Sequence, residues 1–105
     1  MHGGWVYIMT NRAFGTFYTG VTSDLEKRVA QHKAGIYEGF TSRYRVTRLA
    51  YSEHHDDIVS AIRREKAIKH WPRAWKIELI MEQNPNWDDL AGGAWRLDGA
   101  ASRRK

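Results

Sequence analysis

Glu65 stands where an apolar residue belongs. If a helix follows Asp57 and Ile58 is taken as zero, Ile62 lies at about 40°, Ala61 at about −60° and Ile68 at about −80°. Glu65 then falls at about −20°, inside that stripe, while Arg63, Arg64 and Lys66 spread over the other faces. A carboxylate carried into an apolar face is costly unless a cation answers it. Two cations are on offer: a metal ion, or the ammonium of Lys69, one turn on at about 20°. The spacing leaves both open.

A second set of polar residues lies nearer the N-terminus. With Leu25 as zero, Val29 lies at about 40°, His32 at about −20° and Arg28 at about −60°. Arg28 and His32 are four residues apart and can point into one site. A guanidinium is a planar fork suited to phosphate, and an imidazole ordinarily titrates near working pH. The plainer alternative is an arginine snorkelling at the stripe's edge and a histidine satisfied in the core. Tyr7 and Tyr18 occupy facing strands, with Gly20 two residues beyond Tyr18. Glycine inside a strand marks a bulge or a close approach, whereas buried tyrosines often do no more than pack.

These side chains need a frame. Residues 5–10 and 17–22 are β-rich runs joined by a short polar stretch containing Gly15, the pattern of a hairpin. Ser23-Asp24-Leu25-Glu26 reads as a capping box that starts a helix near Asp24, and Gly35 is a good stop. Residues 36–45 look irregular, and 46–52 form a third strand candidate. Asp56 or Asp57 caps a second helix running to about Trp71, before Pro72. Residues 73–83 fit either an alternating strand or a helix behind Pro72. His54-His55-Asp56-Asp57 has the composition of a metal site, but its place at a helix start favours capping.

The chain has 105 residues, the length of one domain, here expected over 1–90 with a flexible basic tail at 91–105. Lys and Arg number 17 against 12 Asp plus Glu, a net charge of +5 that favours polyanions, nucleic acid foremost. Arg43, Arg45 and Arg48 near the third strand, Lys27 and Lys33 on the first helix, and Arg63 and Arg64 on the second are candidate phosphate contacts. The same charges also suit a merely solvated face. With no cysteine there are no disulfides, zinc knuckles or thiol nucleophiles. No run is apolar enough to span a bilayer, and the N-terminus lacks the pattern of a signal peptide, so a cytoplasmic protein is expected.

Taken together, these residues resemble the GIY-YIG nuclease family. The hairpin carries Trp5-Val6-Tyr7 where the family has Gly-Ile-Tyr, and Tyr18-Thr19-Gly20 where it has Tyr-Ile-Gly. Arg28 matches the family arginine, His32 the position four residues later, and Glu65 the metal-binding glutamate. Asn84, in Asn84-Pro85-Asn86-Trp87, resembles the late asparagine. The likeness covers about residues 3–90 and is greatest to stand-alone bacterial members without an attached DNA-binding module. Two departures stand out. The first tripeptide lacks its glycine, and Val21 replaces a lysine that some members carry after the second, so any role of that lysine must be lost or fall to another residue.

The resemblance implies an α+β fold: a small three-stranded, mainly antiparallel sheet, made of the hairpin plus a third strand and flanked by about three helices. It makes residues 73–83 helical. It also implies a metal-dependent endonuclease hydrolysing DNA phosphodiester bonds, in repair or recombination, with branched, nicked or damaged DNA among the candidate substrates. Tyr7, Tyr18, Gly20, Arg28, His32, Glu65 and Asn84 would form the site, and Glu65 would hold one Mg²⁺ or Mn²⁺. Arg28 would contact non-bridging oxygens, and the products would be a 5′-phosphate and a 3′-hydroxyl. For the general base the resemblance favours Tyr18, while an ordinary histidine pKa of about 6.5 favours His32. The competing reading is a nucleic-acid-binding module of the same fold with little or no activity.

Overall fold

The computed structural model of the chain describes residues 3–36 and 43–92. Most of the stretch read as irregular, and the tail from residue 93 on, lie outside them. The described elements run β1 (Gly4–Thr10), β2 (Phe17–Thr22), α1 (Leu25–Ala34), β3 (Arg48–His55), α2 (Ile58–Lys69) and α3 (Arg73–Gln83). The three strands form one antiparallel sheet in the order β2-β1-β3, as expected for an α+β domain. None of the described helices is long and apolar enough to cross a membrane.

The central strand divides the core by the two-residue period of its side chains. Val6 and Ile8 pack with Ala61 and Ile68 of α2 and Ile80 of α3. Tyr7 and Met9 turn the other way, onto Leu25 and Val29 of α1 and onto Val46 and Leu49. A register shift between Ile8 and Met9, where β1 meets β3, places Tyr51 and Leu49 opposite successive residues. Packing continues past residue 90: Leu90 N donates to Leu49 O at 2.8 Å, and Ala91 is buried.

The helix ends correct several details. Asp24, not Ser23, caps α1, its carboxylate accepting from Lys27 N at 3.1 Å, so the expected capping box does not form. Gly35 ends α1 at φ 70, a left-handed conformation that favours glycine. Asp57 caps α2 through Val59 N and Ser60 N, and α2 stops at Lys69 rather than Trp71. His54 and His55 belong to β3, which begins and ends later than expected. Ile62 is exposed and Ala30 buried, so both apolar stripes lie slightly off the idealised wheel. Residues 73–83 are helical. Their strand-like alternation came from Trp75 and Met81, both of which are exposed, while Ile80 is buried.

Arg73 fixes the β1–β2 turn. Its guanidinium donates to Phe14 O and Gly15 O, both at 2.7 Å, and lies 4.3 Å over the Phe17 ring. A cation in the first turn of a helix opposes the helix dipole, so a specific partner is the physical reason for it there. The clamp holds the strand that carries Tyr18.

Candidate active site

Tyr7 sits opposite Gly20 in the hairpin register and is fully buried. A Cβ on Gly20 would lie 2.5 Å from the Tyr7 Oη and 2.6 Å from its Cζ, so glycine there is what lets the phenol cross the neighbouring strand. The ring reaches α1, where Tyr7 Oη and His32 Nε2 are 3.0 Å apart. Tyr18 completes a three-ring group, with its centroid 5.2 Å from His32 and 6.3 Å from Tyr7.

Burial, and secondarily the Arg28 guanidinium, lowers the His32 pKa to about 4. The imidazole is therefore neutral at neutral pH. This corrects the expectation of an ordinary histidine poised near 6.5 as a base. Arg28, one turn before His32, also lines a surface cleft of about 430 Å³ with Thr22, Ser23, Asp24, Lys27 and Gln31.

Glu65 is buried on α2, as the helical wheel predicts. The competing partner is realised as well: Lys69 Nζ lies 2.7 Å from Glu65 Oε2. The hydrogen bond from Lys69 to Glu65 and the charge of that carboxylate raise the lysine's pKa, against a smaller effect of burial, and Tyr18 adds to the same field. Among the described residues, no three His, Cys, Asp or Glu side chains gather as a metal site, the 54–57 run included. A single carboxylate, already facing a cation, suits an ion that keeps most of its waters, as Mg²⁺ does, and not a multi-ligand zinc site.

Asn84 has a visible structural task. Its amide donates to Ala50 O at 3.1 Å and Asp88 O at 2.8 Å, and its Oδ1 accepts from Asp88 N at 3.0 Å. These bonds tie the end of α3 to β3 and the following loop. Trp5, in place of the family glycine, packs against the α1 side of the core and meets the His54 ring edge-on at 4.8 Å. Val21 packs into the α2–α3 side of the core.

The basic candidates separate into two groups. Lys27, Arg43, Arg45 and Arg63 are exposed. Lys33 instead donates to Thr47 O at 3.0 Å and pairs with Asp89. Arg48 donates to Trp87 O at 2.6 Å. Arg64 holds Glu53 through two hydrogen bonds, of 2.9 and 3.3 Å, and stacks 5.1 Å over Trp71. The sequence reading missed these internal partners, along with the Asp89 network and the Arg73 clamp. All depend on contacts distant along the chain, and only the arginine behind Pro72 carried a local signal.

Comparison with known proteins shows the family of the chain. A model of the GIY-YIG catalytic domain matches residues 3–78. A UPF0213 protein of Syntrophus aciditrophicus is 37% identical over 86 residues, which span 81% of this chain and 97% of that relative. One from Staphylococcus saprophyticus is 36% identical over 78 residues, or 74% of this chain and 94% of its own length. The fold is similar to the solution NMR structure of a UPF0213 protein from Bacillus halodurans. There the TM-score is 0.50 at 24% identity, covering 84% of this chain and 93% of the other.

Proposed function

Since this chain belongs to the GIY-YIG family, a nuclease-type family, we propose that it is a metal-dependent endonuclease hydrolysing DNA phosphodiester bonds, in repair or recombination in the cytoplasm. The observation that carries this reading is the buried Glu65, answered by one half-exposed lysine, in a fold that also brings Tyr7, Tyr18 and His32 together.

Glu65 would hold Mg²⁺ or Mn²⁺ through its carboxylate. Bound there, the ion would offset charge building on the phosphoryl oxygens and on the leaving 3′ oxygen. Arg28, at its cleft, would bind a non-bridging oxygen through its planar fork. His32 is a poor general base at neutral pH, since its lowered pKa lies well below working pH. Its Nε2 is also engaged with Tyr7. Tyr18 is therefore the group assigned to take the proton of the attacking water, with Tyr7 and His32 fixing each other beside it. Gly20 gives Tyr7 its place, and Asn84 supports the frame. Lys27, Arg43, Arg45 and Arg63 would follow the DNA backbone without reading sequence. Lys33, Arg48 and Arg64 would contribute chiefly through their internal contacts.

The Glu65–Lys69 pair also supports a second reading, because a carboxylate already neutralised needs no metal, and the fold would then bind without cutting. Labelled linear, nicked, flap and four-way DNA, incubated with Mg²⁺ or Mn²⁺, separates the two. The endonuclease reading expects cleavage of at least one substrate, abolished by Glu65→Ala while salt-sensitive binding persists. Intact DNA throughout establishes the binding module instead, and equal cleavage by the variant removes Glu65 from the reaction.

A further inference from the structure

Lys69 is the sole salt-bridge partner of Glu65 among the described residues, at 2.7 Å. The two ends of that pair differ in their surroundings. The Glu65 side chain is 9% exposed, whereas that of Lys69 is 50% exposed. The carboxylate is fixed in the packed face of α2, and the ammonium reaches it from a flexible stem at the water boundary. Such a cation can leave with little structural consequence.

Two further features favour departure. Lys69 is the last residue of α2, where the helix dipole favours a positive charge whether or not Glu65 is in contact. The Lys69 carbonyl is engaged separately, by Lys76 Nζ at 3.3 Å, so the helix end does not depend on the Lys69 side chain.

We propose that Lys69 is the exchangeable counter-ion of Glu65, holding the carboxylate oriented until a divalent cation is loaded and then giving it up. This rests on Glu65 being the metal ligand. Lys69 is in this account a positioning residue, acting on the reaction through Glu65. It keeps a buried carboxylate aligned in the resting protein, and makes cation loading a replacement of one positive charge by another. The exchange involves no covalent bond, and the ammonium keeps its proton.

The test is Mn²⁺ binding to the full chain, read from the paramagnetic resonance of free Mn²⁺, with thermal melting in EDTA and in Mn²⁺. Glu65→Gln is expected to lose the tight Mn²⁺ site. Lys69→Met is expected to bind Mn²⁺ about fivefold tighter or more, the scale set by removing one partly exposed competing charge. In EDTA it should melt below the wild type and recover in Mn²⁺, a rescue that a merely structural lysine would not give. Lys69→Arg should restore competition. Lys69→Gln serves the same purpose as Lys69→Met should the latter fail to fold. Glu65-dependent Mn²⁺ binding that is unchanged or weakened in the uncharged Lys69 variants overturns the exchange and leaves the metal site standing. Mn²⁺ binding that persists in Glu65→Gln, or is absent from the wild type, overturns the metal site and the exchange together.

Discussion

Glu53 on β3 and Glu65 on α2 are both carboxylates mostly withdrawn from water, with side-chain exposures of 17% and 9%. Glu53 is surrounded. Tyr51 Oη donates to it at 2.5 Å, His55 Nε2 at 2.6 Å and Arg64 Nε at 2.9 Å. Burial alone would raise its pKa, but those hydrogen bonds and the Arg64 charge hold it below the usual carboxylate range. Burial, and then the Glu53 carboxylate, push the Tyr51 phenol up against a smaller opposing effect of Arg64. Glu65, the more buried of the two, has a single lysine. On the proposed function, the contrast separates a structural carboxylate from one kept for chemistry. The first is saturated by partners that cannot leave together, and the second has one partner that can. Helical periodicity flags the oddity of Glu65, while the set of partners gives it a use.

The contrast can be tested first at Glu53. Glu53→Ala strands Arg64, His55 and Tyr51 in part-buried positions and should cost about 3 kcal/mol of stability in chemical denaturation. Any loss of cleavage should follow the unfolded fraction. Equal stability would show that the network is decorative. Gly20→Ala probes the other side of the sheet. Its Cβ would displace a buried ring, an overpacking effect of about 2 kcal/mol. The Tyr7–His32 contact should break, which should move the His32 ring resonances in NMR. An unshifted His32 would disprove the dependence of that contact on Gly20.

His32 gives a pH dependence of comparable or smaller size. Its folded pKa of about 4 lies below its ordinary 6.5, so the unfolded chain binds more protons between those values. The stability this contributes is fully present above about pH 6.5 and is lost as pH falls toward 4, on the order of 2 kcal/mol. Between pH 6.5 and 4 the melting temperature of the wild type should therefore fall more steeply than that of His32→Gln, and parallel pH profiles would refute it. The smallest effect expected is the division between neighbouring arginines. Arg64→Ala should lower stability through Glu53, whereas Arg63→Ala should leave stability alone and reduce the salt slope of DNA binding by about 1. The reverse assignment would undo the separation of structural from exposed cations.

Much of this frame is legible in the chain. The hairpin follows from two β-rich runs, α1 from its apolar stripe and Gly35, and α2 from an Asp cap and a stripe interrupted by Glu65. Local rules fail where two residues offer the same chemistry. Ser23 and Asp24 can both cap, and backbone geometry selects Asp24. They fail again where a side chain's task is set by a distant partner. Arg48 and Arg63 look alike in sequence, but only the former meets the Trp87 carbonyl. His32 looks like an ordinary imidazole until burial and Arg28 act on it. The position of Glu65 was visible from spacing alone, but not the one-sidedness of its partnership with Lys69, which depends on the exposure of each end.

The most direct test of the account is the single-turnover rate of DNA cleavage in Mg²⁺ by Glu65→Gln and Glu53→Gln, each measured at a temperature where circular dichroism shows it fully folded. The account predicts that Glu65→Gln cleaves at least about a hundredfold more slowly, while Glu53→Gln stays within a few-fold of wild type. Wild-type cleavage by folded Glu65→Gln would contradict it.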